Sequence, residues 1–270
     1  MNIQAVTKNA FSLLENAEIS SARLDAELIV SEVIHKSRAW ALAHPGYLIS
    51  PENQRQISSA VKRRQNHEPL AYIFGKTEFY GFMLYVDKNV LVPRPESETI
   101  VEWVVQNSAQ NCTLLDVGAG SGALAIAVKK NRPDLLVCAS DISPVALNVA
   151  ARNADSLDVD IHFTQSDLLE SIDIQPEIIV ANLPYVPSAS ELNKTAAHEP
   201  ELALLAGKNG LEYYLDLFKQ LTDSRFDLTK TVVIEANPDQ FNPLYAQLDS
   251  GWSLETISDY VGVFKKLTAI

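Results

Sequence analysis

Apolar and polar positions follow two different periods along this chain, and the change from one to the other divides it. From residue 3 to about residue 65 the apolar positions recur at steps of three and four. They include Ala10, Leu13, Leu14 and Ala17, then Leu24, Ala26, Leu28, Ile29 and Val33. That spacing is the mark of amphipathic helices. Ser20-Ser21 can cap the second helix, Pro45-Gly46 marks a break, and Ser50-Pro51 is a cap and first-turn pair for another. A bundle of about four helices is expected over residues 1–66. Arg63-Arg64 close it and read as a solvated helix C-terminus that complements the helix dipole.

A different texture begins at Glu68-Pro69. Ala71 to Gly75, Glu78 to Phe82 and Leu84 to Val86 are aromatic and β-branched, which reads as a hairpin and makes 67–93 a linker. Pro93 and Pro95 fix the backbone around Arg94 and hold off helix until Glu96, so a helix is expected over 96–105. From Cys112 onward strand and helix alternate. Strands are expected over 113–117, 135–140, 161–165, 178–181 and 231–235, with helices near 123–130, 144–153 and 211–221. A final hairpin pairs 252–258 with 259–266. The alternation argues an α/β domain over 94–270, a mostly parallel sheet with helices on both faces. In such sheets ligands lie beyond the carboxyl ends of the strands, where the strand order reverses.

Candidate chemistry collects at those ends. Leu114 to Ala127 runs as an apolar strand, the turn Gly118-Ala119-Gly120-Ser121-Gly122 and a helix. Glycine lets a backbone approach a ligand closely, and the helix N-terminus offers free N–H groups, so a nucleotide-like cofactor fits there. Gly118, Gly120 and Ala123 also match the dinucleotide pattern, which leaves an NAD-type cofactor and S-adenosylmethionine (AdoMet) both open. Asp116 could order the loop. Asp141 lies 23 positions after Gly118, where a carboxylate can accept both ribose hydroxyls. Asp167, followed by Leu168, is placed for an adenine amine. Each aspartate also suits a helix cap.

The fourth strand ends in Asn182-Leu183-Pro184-Tyr185. Asn-x-Pro-Tyr at this place suits methyl transfer to a planar nitrogen, whose lone pair is delocalised into a π-system. Such a nitrogen must be held by both of its protons. The Asn182 side-chain oxygen can accept one and the Leu183 carbonyl the other, while Tyr185 can press a flat face on the group.

Composition narrows the classes. The 270 residues carry 22 Lys and Arg against 34 Asp and Glu, a net charge of −12. Residues 1–66 hold 8 basic against 6 acidic side chains, so the acidity belongs to the remainder. That field disfavours a phosphate backbone as partner. No apolar run reaches membrane-spanning length and the N-terminus lacks a signal pattern, so a soluble cytoplasmic protein is expected. Cys112 and Cys138 read as core thiols, the five histidines are scattered, and no metal site is expected.

Ser21 to Leu28, Glu68 to Gly75, Glu78 to Gly81, Val92 to Glu98, Asp116 to Gly122, Asp141 to Pro144 and His198-Glu199-Pro200 together resemble the HemK/PrmC family over almost the whole chain. These are methyltransferases of the glutamine side-chain nitrogen in the Gly-Gly-Gln motif of peptide chain release factors. The resemblance implies a Rossmann-like class I AdoMet-dependent methyltransferase domain with a seven-stranded, mostly parallel sheet. It implies AdoMet as cofactor, bound by Asp116, Gly118, Ala119, Gly120, Ser121, Gly122, Asp141, Asp167, Leu168 and Asn182. Asn182, Leu183, Pro184 and Tyr185 become the catalytic and substrate-binding residues. It also implies a release factor as partner, docked on the N-terminal bundle, and makes Arg94-Pro95-Glu96 a wall beside cofactor and substrate. The family usually has Asn-Pro-Pro-Tyr where this chain has Leu183. Asn-Leu-Pro-Tyr is typical of ribosomal RNA adenine N6-dimethyltransferases, so adenine in RNA or DNA is the alternative substrate. An inactive relative and an NAD-dependent oxidoreductase stand further off. Ala206-Gly207 and Ala236-Asn237-Pro238 also depart from the family pattern.

Overall fold

A computed structural model describes residues 1–248 and 251–267. The chain divides into two compact units, one of Met1–Gly75 with Leu192–His198, the other of Lys76–Glu191 with the chain from Glu199 onward.

The first unit is helical: α1 Ile3–Asn16, α2 Ala22–Val33, α3 Arg38–Ala43, α4 Pro51–Gln65 and the short α5 Leu70–Phe74. Asn2, Ser37 and Ser50 cap α1, α3 and α4 through their side chains. Ala10, Leu14, Ala26, Ile29 and Val33 form its core, whereas Leu13, Leu24 and Leu28, which the periodicity placed with them, are exposed. Two expectations fail here. Leu70–Phe74 is helix, not strand: Pro69 precedes its first turn, Gly75 at φ 68° ends it, and Ile73 and Phe74 pack on the bundle core. Tertiary packing has overridden β-propensity. Nor is Arg64 part of a solvated terminus, although Arg63 is exposed in the last turn of α4. Arg64 is buried and paired with Asp25 at 2.7 Å, and Arg63 holds Glu68 together with the carbonyls of Tyr72 and Ile73.

The second unit begins with a hairpin, β1 Lys76–Phe79 and β2 Phe82–Tyr85, whose Phe79 and Leu84 are buried in its core. A 3-10 turn over Pro95–Ser97 precedes α6 Glu98–Asn107, so the helix starts two residues later than the prolines suggested. There follow β3 Thr113–Val117, α7 Ala123–Asn131, β4 Leu136–Asp141, α8 Pro144–Ser156, β5 His162–Gln165, β6 Ile178–Ala181, α9 Glu212–Gln220, β7 Thr231–Glu235, α10 Phe241–Tyr245, β8 Trp252–Thr256 and β9 Val261–Lys266. The sheet has seven strands in the order β5-β4-β3-β6-β7-β9-β8. The first five are parallel, and β9 is antiparallel to both β7 and β8.

Alternation along each strand makes two cores. Leu114, Val137, Val180 and Val233 face one side, and Leu115, Cys138, Ile179 and Ile234 the other. Strands buried on both faces read as continuous apolar runs, which is why the sequence marked them so well. Cys112 and Cys138 are buried free thiols. Strand order reverses at β3, with β4 on one side and β6 on the other. The loops after β3, β4, β5 and β6 therefore open to one place.

Candidate active site

A cavity of about 400 Å³ lies at that place, within the range of small-molecule sites. Gly118, Ala119, Gly120 and Ser121 form one wall, Asp141 to Ser143 a second, Ser166 to Leu168 a third, and Asn182, Leu183 and Pro184 a fourth. Pro93, Ser97, Pro200 and Leu202 are also part of the lining.

The glycine loop is shaped from below. The Gly118 and Ala119 N–H groups donate to the Ser140 carbonyl at 2.8 and 2.9 Å, and the Gly122 N–H to Ala119 at 2.7 Å. Gly118 has φ 79°, and a Cβ there would stand 2.9 Å from Leu183 Cδ2; Gly122, at φ 80°, abuts Ala150. Gly120, at φ 53°, has nothing within 4 Å of where a Cβ would be, so the missing side chain leaves open room at the cavity. Gly122 is off the cavity wall, as the N-cap of α7.

Asp141 ends β4 and uses both oxygens on backbone: Oδ2 accepts from Gly120 N–H and Oδ1 from Ser143 N–H, each at 2.8 Å. Burial raises its pKa. Asp116 lies beneath the loop and does not line the cavity. Its Oδ2 accepts from Ala125 N–H in the first turn of α7 at 3.1 Å, and its buried Oδ1 has no partner. Burial lifts its pKa to about 7. Asp167 is an exposed wall residue, and Leu168 beside it holds φ 48°, a strained conformation for leucine. The lining carries Asp141 and Asp167 with a single cation, Lys88. That charge suits a ligand with hydroxyls and positive charge and is poor for a dinucleotide pyrophosphate.

Asn182 follows β6, and its Nδ2 donates to Ser97 Oγ at 3.0 Å. The Leu183 side chain is buried in the core, and its N–H donates to the Tyr214 hydroxyl at 3.0 Å. Tyr214 in turn donates to the Glu235 carbonyl. Its one proton points there, and the Leu183 carbonyl stands 3.4 Å from the same hydroxyl. Tyr185 is not on the cavity wall. Its hydroxyl donates to Glu235 at 3.1 Å and its carbonyl accepts from Gln240 Nε2 at 2.8 Å.

Against this geometry stand the comparisons. The model of the PrmC N-terminal domain matches residues 5–75, and that of the methyltransferase small domain matches residues 96–199. A release factor glutamine methyltransferase of Deinococcus radiodurans is 31% identical over 97% of this chain and 96% of its own. The Coxiella burnetii enzyme of the same name is 37% identical over 78% of this chain and 77% of its own. The chain belongs to the release factor glutamine methyltransferase family. Its fold is also that of a T. thermophilus 16S rRNA methyltransferase solved with AdoMet and guanosine (TM-score 0.52, 15% identity, 71% of this chain and 49% of that one).

Membership draws attention to residues that pattern reading passed over. Glu199 is buried and binds Arg94, while its second oxygen accepts the Val92 N–H at 3.2 Å, so the His-Glu-Pro and Arg-Pro-Glu stretches are tied to each other. Asn153 in α8 donates to the Tyr85 and Ser121 carbonyls and accepts the Tyr85 N–H, which pins the hairpin to the glycine loop. Ser97 and Glu235 stand behind Asn182. A lone Asn within a helix, or an acid ending a strand, has no periodic signal. Only the stretches around Ser97 and Glu199, through their likeness to the family, pointed there.

Proposed function

We propose that this chain transfers a methyl group from AdoMet to the side-chain nitrogen of the Gly-Gly-Gln glutamine of peptide chain release factors. What carries the reading is the orientation of Asn182. Its Nδ2 is committed to Ser97, so Oδ1 is left to accept a proton, beside the Leu183 carbonyl and next to the glycine loop. Two acceptors side by side match the two N–H groups of a primary amide.

AdoMet is the cofactor, held by the loop from Gly118 to Ser121, with Asp141 toward its ribose and Asp167-Leu168 toward its base. When bound it supplies an electrophilic methyl group. Asn182 and Leu183 hold the amide nitrogen by both protons, and their hydrogen bonds strengthen as that nitrogen gains positive character. Positioning, without a strong base, is the main contribution. The helical unit docks the release factor, and the enzyme works in the cytoplasm, where its substrate is.

The test is incubation with methyl-labelled AdoMet and, in parallel, release factor and ribosomal RNA, followed by mass mapping. Label on the Gly-Gly-Gln glutamine, lost in Asn182→Ala while AdoMet affinity changes less than about threefold, is expected. Label in RNA would assign the chain to adenine instead, and label in neither would mark an inactive relative.

A further inference from the structure

Ser97 and Glu235 form a buried chain behind Asn182 to which no role has been given. Glu235 ends β7 at 2% exposure, and Ser97 closes the 3-10 turn at 3%. The Ser97 hydroxyl donates to Glu235 Oε2 across 138 residues of sequence. Tyr185 donates to the other oxygen, and Asn182 also lies within hydrogen-bonding reach of the carboxylate.

The direction of this chain follows from donor counting. The Glu235 carboxylate accepts from Ser97 on one oxygen and from Tyr185 on the other, so it takes the single proton of Ser97. The Ser97 oxygen is then left to accept, and the end of Asn182 that meets it must be Nδ2. An asparagine amide has two ends of nearly equal size and opposite hydrogen-bonding character. Turned over, Asn182 would set an NH2 against the NH2 of a substrate amide, two donors facing each other.

We propose that Ser97 and Glu235 are positioning residues for methyl transfer, which hold the Asn182 amide with its oxygen toward the substrate nitrogen. This rests on the glutamine reading above. The carboxylate also tethers Tyr185, so one buried group orders both ends of the Asn182 to Tyr185 turn. Glutamine at 235 would keep the size and lose the direction. Its NH2 could donate to Ser97, which would then donate to Asn182 and favour the reversed amide.

The experiment is steady-state methylation of release factor by the full-length wild type and by Ser97→Ala, Ser97→Thr and Glu235→Gln. AdoMet affinity by calorimetry, melting temperature and the Asn182 side-chain amide NMR signals are measured on the same samples. Ser97→Ala and Glu235→Gln are expected to lower kcat about tenfold to a hundredfold, the cost of misplacing a reacting group. AdoMet affinity should stay within about threefold, and the Asn182 amide signals, identified by their loss in Asn182→Ala, should shift. Ser97→Thr keeps the hydroxyl and should recover most of kcat. An unchanged kcat in Ser97→Ala overturns the proposal. So does a fall in kcat matched by an equal fall in AdoMet affinity, which would be a structural role. A wild type that methylates no glutamine refutes the functional reading itself, whatever the variants do.

Discussion

Tyr214→Phe removes one oxygen and with it the partner of two backbone groups. The side chain is wholly buried, and its hydroxyl accepts the Leu183 N–H at 3.0 Å and donates to the Glu235 carbonyl. A buried donor left unsatisfied costs about 1–3 kcal/mol, and the carbonyl loses a net hydrogen bond of about 1 kcal/mol, so a destabilisation of about 2–4 kcal/mol is expected. Leu183→Pro deletes the donor itself. Pro184 already disfavours helical backbone at 183, and the cost of the substitution includes lost leucine packing, about 1–3 kcal/mol. The orphan penalty exists only while the N–H exists. The double variant is therefore less destabilised than the two singles together by about 1–2 kcal/mol. Urea unfolding of the four proteins without cofactor measures this coupling, with equal m-values as the check on two-state behaviour. Singles that add to within about 0.5 kcal/mol would refute the claim that Tyr214 restrains residue 183 through its N–H. The same bond explains how a leucine holds this turn in place where the family usually has a proline: the fixed φ of the ring is replaced by a buried hydrogen bond.

Three further outcomes follow from the site. Asp141→Ala frees the Gly120 and Ser143 N–H groups, and AdoMet affinity should fall at least about tenfold before turnover does; calorimetry showing unchanged affinity would remove Asp141 from the cofactor site. Asp116 has a raised folded pKa of about 7, so the folded state holds a proton that the unfolded chain releases, and stability from this group falls as pH rises from about 4 to 7. Asp116→Asn lacks that loss, and its stability relative to wild type should grow by about 2–3 kcal/mol between pH 5 and pH 8; a difference flat with pH would contradict it. Gly210, at φ 74°, passes so close to the Tyr185 carbonyl that a Cβ would overlap it. Gly210→Ala should displace the Tyr185 segment and lower both turnover and melting temperature, and a fully active variant would show that the segment tolerates movement.

Part of this molecule is legible without coordinates because its signals are local. Apolar runs buried on both faces placed β3, β6 and β7, and glycines flanked by a strand and a helix placed the cofactor loop. The Asn182 to Tyr185 turn was readable because residue type and position at a strand end coincide. Where local preference and packing disagreed, the reading failed: Tyr72, Ile73 and Phe74 favour strand by type, yet between Pro69 and Gly75 they form helix on the bundle core. Arg64 looked like a surface cation because its partner, Asp25, is 39 residues away.

The amino-acid sequence by itself therefore determined the alternation of strands and helices from β3 to β7, the glycine loop, the acidic residues at strand ends and the family to which they belong. Only the tertiary structure decided how those parts are held. Ser97 meets Glu235 across 138 positions, Asn153 meets Tyr85 across 68, and Leu183 meets Tyr214 across 31. Periodicity and propensity report a residue's neighbours on its own helix or strand. A buried polar group must find its partner wherever strand order and packing bring one within 3 Å, and that distance is set by the whole fold.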